Sequence, residues 1–259
     1  MARRSFRAQL DEERVIVGTW SQIASEEVID MVGGAGFDFT IVDCEHGAFD
    51  IETAARLFRA CDANGVAPLA RASGIDAGFV ARALDAGATA VVVPGIASGA
   101  DAQAMVRATR FAPHGTRGAC PCVRAGGQFI TDWRGHVAAQ AAEVGVVALV
   151  ETAQGLAEID AITATEGLLA LLLGPFDLSV SLGLAGDHRH PEVERALDRM
   201  IDAAGRADLP VIAPIFDPDP AEVAHQRTRW ADRGVSRFTV GTDKIVLADG
   251  LRRYARAAR

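Results

Sequence analysis

Short, wholly apolar runs recur along the chain, and each is followed by a stretch whose apolar positions return every three or four residues. "VIVGTW" (15–20) precedes "SEEVIDMVGGAG", "FTIVDCE" precedes "IETAARLFRACDANG", "APLARA" precedes "DAGFVARALDAG", and "TAVVVPG" precedes "GADAQAMVRATRFA". An irregular stretch runs from His114 to about Phe129, and the rhythm then resumes. "VGVVALVET" leads into "AEIDAITATEG", and "LLALLLGP" into "FDLSVSLG" and a second helix near "PEVERALDRMIDAAG". "LPVIAPIF" leads into "DPAEVAHQRTRWADRG", and "SRFTVGT" into "DKIVLADGLRRYARAA". Runs that are apolar throughout suit strands buried on both faces of a parallel sheet. Eight strand–helix units in about 250 residues have the size and rhythm of a (β/α)8 barrel, which predicts an α/β TIM barrel spanning 1–259 as one domain. A doubly wound open sheet is the rival, but no GxGxxG follows the first run.

A barrel places its chemistry where strands end. The residues there are Trp20; Asp43, Glu45 and His46; Arg71; Pro94 and Gly95; Glu151; Gly174, Pro175 and Asp177; Pro214; and Gly241 and Asp243. Glu151 and Asp177 leave the neighbouring fifth and sixth runs, so both can reach one cation, and oxygen donors with room for water suit octahedral Mg2+ or Mn2+. Each can instead cap the helix that follows; their coincidence on adjacent strands favours the metal. Arg71 can stabilise an enolate without losing its proton, or serve as a structural ion pair with Asp43 or Glu45. A lone histidine is more often structural, but His46 follows a strand at the catalytic end, and an imidazole can serve as both base and acid, so it is the candidate acid/base. Asp85, before the fourth run, is a candidate to orient an imidazole, although acids at helix ends usually face water. The Gly174–Pro175 turn and the helix start at Phe176 and Asp177 offer free amides to an anionic substrate.

Charge and composition narrow the picture. A formal charge of -8 and no basic stripe argue against nucleic acid. No apolar run is long enough to span a bilayer, and the basic "MARRSFR" lacks the apolar segment of a secretory signal, so a cytoplasmic protein is expected. Four cysteines in 259 residues make no disulfide framework. "CPC" at 120–122, with His114 nearby, is a weak metal motif that reads better as an ordinary loop. Lys244 is the lone lysine, so a Schiff-base mechanism has one candidate and no neighbouring motif to support it.

Taken together, "DCEHG", "LAR", "VET" and "GPFDLS", with "GTW", "LDAGA", "RATRFAPHGTRG" and the closing "VGTD", resemble the HpcH/HpaI family of metal-dependent pyruvate aldolases over nearly the whole chain. The resemblance implies a barrel of the phosphoenolpyruvate/pyruvate type, with the eighth helix exchanged between subunits, often in homohexamers built as trimers of dimers. It implies Glu151 and Asp177 as ligands of Mg2+, Mn2+ or Co2+, which chelates the 2-oxo acid. It makes Arg71 the contact to the keto oxygen, and His46 the acid/base, paired with Asp85 and working through metal-bound water. Trp20, Gly174, Pro175, Phe176 and Asp177 would surround the substrate, with backbone amides at Phe176 and Asp177 holding its carboxylate. The implied reaction makes and cleaves 4-hydroxy-2-oxo acids from a 2-oxo acid enolate and an aldehyde, acting on a sugar-acid or aromatic-catabolite fragment.

Two positions depart from the family pattern: Leu149 stands where a Gln is frequent, and Phe176 where a small residue is common. The aldehyde is expected to be chosen by Ile215 and Phe216, by the stretch 117–128, and by a neighbouring subunit. Two other readings use the same barrel: a citrate-lyase-like acyl-CoA lyase, for which no dedicated basic CoA site is visible, and a silent binding module. Retention of His46, Arg71, Glu151 and Asp177 together weighs against the last.

Overall fold

The computed structural model describes residues 5–259; most of the basic N-terminal segment, 1–4, lies outside the described residues. Eight parallel strands close in chain order into a barrel: β1 (Ile16–Ser21), β2 (Phe39–Asp43), β3 (Ala67–Arg71), β4 (Ala90–Val93), β5 (Gly145–Val150), β6 (Leu168–Leu173), β7 (Val211–Ile215) and β8 (Arg237–Thr242). β8 pairs back onto β1, so no strand edge is left open. Each of the eight predicted runs is a strand.

The helices are α1 (Phe6–Leu10), α2 (Glu26–Gly34), α3 (Ile51–Asn64), α4 (Ala77–Ala86), α5 (Gly99–Thr109), α6 (Trp133–Glu143), α7 (Ala153–Ala157), α8 (Ile159–Thr163), α9 (Pro175–Ser181), α10 (Pro191–Arg206), α11 (Pro220–Ala231) and α12 (Asp243–Ala257). Local chemistry starts several of them: the side chains of Asp50, Asp76, Ser98 and Thr242 accept from the amides of Thr53, Phe79, Asp101 and Ile245. The segment "AEIDAITATEG", expected as one helix, is divided at Glu158, whose backbone is non-helical and flanks both α7 and α8. α6 had no counterpart in the sequence pattern, because "WRGHVAAQAAE" carries alanines in place of an apolar stripe and buries only Gln140.

The period of two along each strand sorts side chains into two cores. Val42, Ala70, Val91, Val146, Ala148, Val150, Leu171 and Leu173 face the helices. Ile16, Phe39, Ile41, Ala67, Leu69, Val147, Leu149, Ala170 and Leu172 fill the barrel interior. α1 closes the N-terminal end, with the fully buried Phe6 ring edge-on to Phe39 at 5.0 Å between centroids. Burying a ring of that size contributes about 1.5–3 kcal/mol. α12 differs from every other long helix: none of its residues is buried, and Val246, Leu247, Leu251 and Tyr254 are exposed.

Candidate active site

The interior alternation, carried to the strand ends, selects the polar rim. Ile16 leads to Trp20, Phe39 and Ile41 to Asp43, Ala67 and Leu69 to Arg71, Val147 and Leu149 to Glu151, and Ala170 and Leu172 to Gly174. All five positions continue an inward-facing series at the C-terminal mouth.

Register then pairs them. Asp43 lies opposite Arg71 across β2 and β3. The Asp43 carboxylate is fully buried and accepts from Arg71 Nε at 2.8 Å and Arg71 Nη2 at 2.6 Å. Arg71 Nη1 reaches Glu45 at 3.0 Å, and the guanidinium lies over the Trp20 ring at 4.6 Å. Gln22 Nε2 donates to Asp43 Oδ2 at 2.7 Å, and the amides of Glu45 and His46 donate to Oδ1 at 3.1 and 3.2 Å. Burial alone would raise the Asp43 carboxyl, but hydrogen bonding and charge from Arg71, helped by Gln22 and the His46 amide, hold it below the usual carboxylate range. The stretch "DCEHG" that closes β2 is thus a tight turn wound around one carboxylate. Gly47 completes it, because a Cβ there would sit 2.2 Å from the Asp43 carbonyl oxygen. His46 is carried out to an exposed position on the rim.

On the opposite side of the mouth, Val150 pairs with Leu173, which sets Glu151 beside Gly174 and the first turn of α9. A Cβ on Gly174 would fall 2.5 Å from Glu151 Cβ and 3.1 Å from Leu149 Cδ1, so only glycine leaves room for the acid. Glu151 Oε1 accepts from the Gly95 amide at 2.9 Å. Burial first, then the charges of Asp177 and Glu45, push the Glu151 carboxyl up to about 7 against the opposing effects of Gly95 and Arg71. Asp177 and Phe176 are exposed in the first turn of α9, which Pro175 opens. Leu149 is buried inside the barrel and gives Glu151 no hydrogen-bonding side chain from that position.

Asp85 is not brought to His46 within one chain. It ends α4, which runs back from the mouth, so it lies at the N-terminal end of the barrel, where it pairs with Arg117 at 2.6 Å. The stretch 117–128 lies at that same end, between α5 and α6, and therefore does not line this chain's own mouth. The sequence reading placed Asp43 and Asp243 on the rim, with Asp43 as a possible partner of Arg71, but missed Gln22 and gave Asp243 no role; Asp243 Oδ2 accepts from the amides of Gln22 and Ile23 at 2.8 Å each. Parity on β2 signals Asp43; Gln22, just past β1, carries no such signal. Lys244 is exposed on the first turn of α12, without the apolar burial that activates a Schiff-base lysine. A cavity of about 760 Å3 opens at the far end of the barrel, but its Arg206 is paired with Asp160 at 2.5 Å and its Arg237 with the Leu10 carbonyl.

The chain and its barrel have known counterparts. The sequence pattern described as HpcH/HpaI aldolase/citrate lyase matches residues 17–237. The chain belongs to the HpcH/HpaI family. A hydroxypyruvate/pyruvate aldolase of Paraburkholderia phytofirmans is 33% identical over 228 residues, 86% of each chain. A 5-keto-4-deoxy-D-glucarate aldolase of Escherichia coli is 28% identical over 252 residues, covering 96% of this chain and 94% of its own. An HpcH/HpaI aldolase/citrate lyase family protein from Burkholderia cenocepacia superposes with a TM-score of 0.89 at 33% identity and 98% coverage of both chains. The HpcH/HpaI family is one of carbon–carbon lyases, and the chain carries that family's barrel.

The rim's chemistry fits the divalent ion that such an aldolase would use. Asp43, Glu45, Glu151 and Asp177 stand against the single guanidinium of Arg71, an excess of negative charge made of hard oxygen donors. Among the described residues no three His, Cys, Asp or Glu side chains converge as a metal cage. Glu151 and Asp177 would therefore be the protein's share of an open coordination sphere, as suits an ion that keeps water and takes up substrate oxygens.

Proposed function

We propose that the protein is a class II aldolase that makes and cleaves 4-hydroxy-2-oxo acids, using the enolate of pyruvate or a similar 2-oxo acid and an aldehyde acceptor. The observation that carries this reading is the half-buried Glu151 beside Asp177, facing Arg71 across an acidic mouth. Mg2+, Mn2+ or Co2+ held by Glu151 and Asp177 would supply Lewis-acid stabilisation of negative charge on the 2-oxo acid.

The chain's own groups account for the rest. A guanidinium has five N–H donors; three of those on Arg71 go to Asp43 and Glu45, which leaves two for the keto oxygen as charge develops there. Asp43 keeps the guanidinium aimed, and Trp20 stacks beneath it. His46, exposed on the rim, exchanges the proton between solvent, the substrate methyl carbon and the aldehyde oxygen. The first-turn amides of α9 at Phe176 and Asp177 would take the 2-oxo acid carboxylate.

The acceptor side of the mouth is apolar. Phe216, 48% exposed, lies 6.3 Å from Trp20 between ring centroids, and Phe176 is 56% exposed. Arg71 is already committed to two carboxylates. An uncharged aldehyde with an aromatic or aliphatic group suits these surfaces better than an anionic one. The working form is an oligomer: α12 presents Val246, Leu247, Leu251 and Tyr254 without a partner in one chain, which suits exchange of this helix between subunits. Pairing of His46 with Asp85 would then have to be made between chains. None of the described helices is long and apolar enough to cross a membrane, in keeping with a cytoplasmic catalyst.

Condensation of pyruvate with a panel of aldehydes, followed by chromatography of the 4-hydroxy-2-oxo acid products, tests the reading. Product from benzaldehyde in the presence of Mn2+, lost on chelation, supports it. No product from any aldehyde, together with cleavage of an acyl-CoA substrate, would replace it with the lyase reading.

A further inference from the structure

Two of the four cysteines stand in one turn between α5 and α6, at the end of the barrel away from the carboxylates, and no step of the proposed aldol chemistry uses them. The other two are protected. Burial pushes the Cys44 thiol up to about 12, and Cys61 is fully buried with its thiol raised further. Neither is an effective nucleophile near neutral pH. Cys120 and Cys122 are exposed, so the reactive sulfur of the described chain is concentrated within three residues.

The turn that carries them is fastened on both sides. Before it, the fully buried side chain of Arg117 pairs with Asp85 at 2.6 Å and donates to Gln140 Oε1 at 2.9 Å. After it, Arg124 pairs with Asp62 and donates to the Ala86 carbonyl at 3.2 Å. Across it, the Ile130 amide donates to the Pro121 carbonyl at 2.9 Å. Within it, the Cys122 amide donates to Cys120 Sγ at 3.4 Å, which folds the first sulfur back toward the second residue. Pro121 restricts the backbone between them, so little freedom remains to be lost when both sulfurs engage one centre.

We propose that Cys120–Pro121–Cys122 is a chelating dithiol for a thiophilic centre of low coordination number, trivalent arsenic that already carries one carbon substituent being the case that fits its two donors. The number of donors decides the class of ligand. Structural zinc takes four ligands, and no third His, Cys, Asp or Glu joins the pair among the described residues. Soft thiolates select soft centres. With an organic arsenoxide the step balances without an oxidant: two S–H bonds break, two As–S bonds form, and the arsenic-bound oxygen leaves with both protons as one water. Arsenic stays trivalent.

The test is intact-mass analysis of the reduced, full-length protein after one equivalent of phenylarsine oxide, then a challenge with excess 2-mercaptoethanol and a second with 2,3-dimercaptopropanol. The expected result is one phenylarsenic adduct per chain that survives the monothiol and is stripped by the dithiol. Cys120→Ser and Cys122→Ser should each lose the resistant adduct, while Cys44→Ser retains it. Circular dichroism of the variants separates loss of the site from loss of the fold. An adduct stripped from the wild type by the monothiol, or one that persists in the Cys120→Ser/Cys122→Ser double variant, would overturn the proposal.

Discussion

Replacing Asp43 by Asn tests how the mouth is built, because the two side chains share a shape and differ in charge and acceptors. Five N–H donors converge on this carboxylate: Arg71 Nε and the Glu45 and His46 amides on Oδ1, Arg71 Nη2 and Gln22 Nε2 on Oδ2. An amide keeps one acceptor oxygen. In its better orientation it retains the three bonds at Oδ1 and turns its own N–H groups on Arg71 Nη2 and Gln22. A hydrogen bond between charged groups contributes about 1.5–3 kcal/mol, and a donor buried without an acceptor costs about 1–3 kcal/mol. Glu45 stays on Arg71 and offsets part of the lost ion pair. The net cost should be about 2–4 kcal/mol, at the lower side of what breaking a buried pair incurs.

The pH dependence has a definite sign. The folded-state carboxyl is depressed, so its stabilisation is complete above the unfolded value, about 3.9, and is lost as pH falls through the lower folded value. Urea unfolding of wild type and Asp43→Asn should therefore differ by a constant amount between neutrality and about pH 5 and converge only below about pH 4. Activity should fall by up to about 100-fold as Arg71 loses its aim. A stability difference under about 1 kcal/mol at pH 7, or one that widens on acidification, would refute the reasoning.

Gly174→Ala should cost about 1–3 kcal/mol through overpacking against Glu151 and Leu149, and should weaken Mn2+ binding roughly 10–100-fold in a paramagnetic titration; unchanged binding would remove Gly174 from the support of the acid. His46→Ala should lower aldol cleavage by about 10²–10⁴-fold while leaving that Mn2+ titration intact. Equal cleavage rates in variant and wild type would sink its assigned role. Phe216→Ala should lower the kcat/KM ratio for benzaldehyde over glyoxylate by about tenfold; an unchanged ratio would move acceptor selection elsewhere on the rim.

Much of the architecture was legible because it depends on burial. Strands enclosed on both faces must be apolar throughout, and eight such runs closed as expected. The same periodicity, followed past the last apolar residue, points Trp20, Asp43, Arg71 and Glu151 into the mouth. Asp43 was nevertheless read only as a possible partner for Arg71, since sequence does not show that two further amides and Gln22 close on it. The position of Asp85 followed from direction alone: a helix returning from the mouth ends at the other end of the barrel, so its last turn cannot orient a rim histidine of the same chain. The stretch 117–128 is displaced by the same logic. α6 was hidden because its alanines are exposed and Gln140 alone is buried, so no stripe of large apolar residues marks a packed face. α12 has an apolar face that one chain leaves uncovered, and local patterning does not name the surface that meets it.

Enolisation is the claim on which the functional account stands, and it can be followed without knowing the aldehyde. The measurement is loss of the pyruvate methyl signal in D2O by proton NMR, with Mg2+ or trace Mn2+ and with EDTA. The account predicts exchange with the divalent ion that EDTA abolishes and that Glu151→Gln does not support. Exchange that survives thorough removal of metal would contradict it.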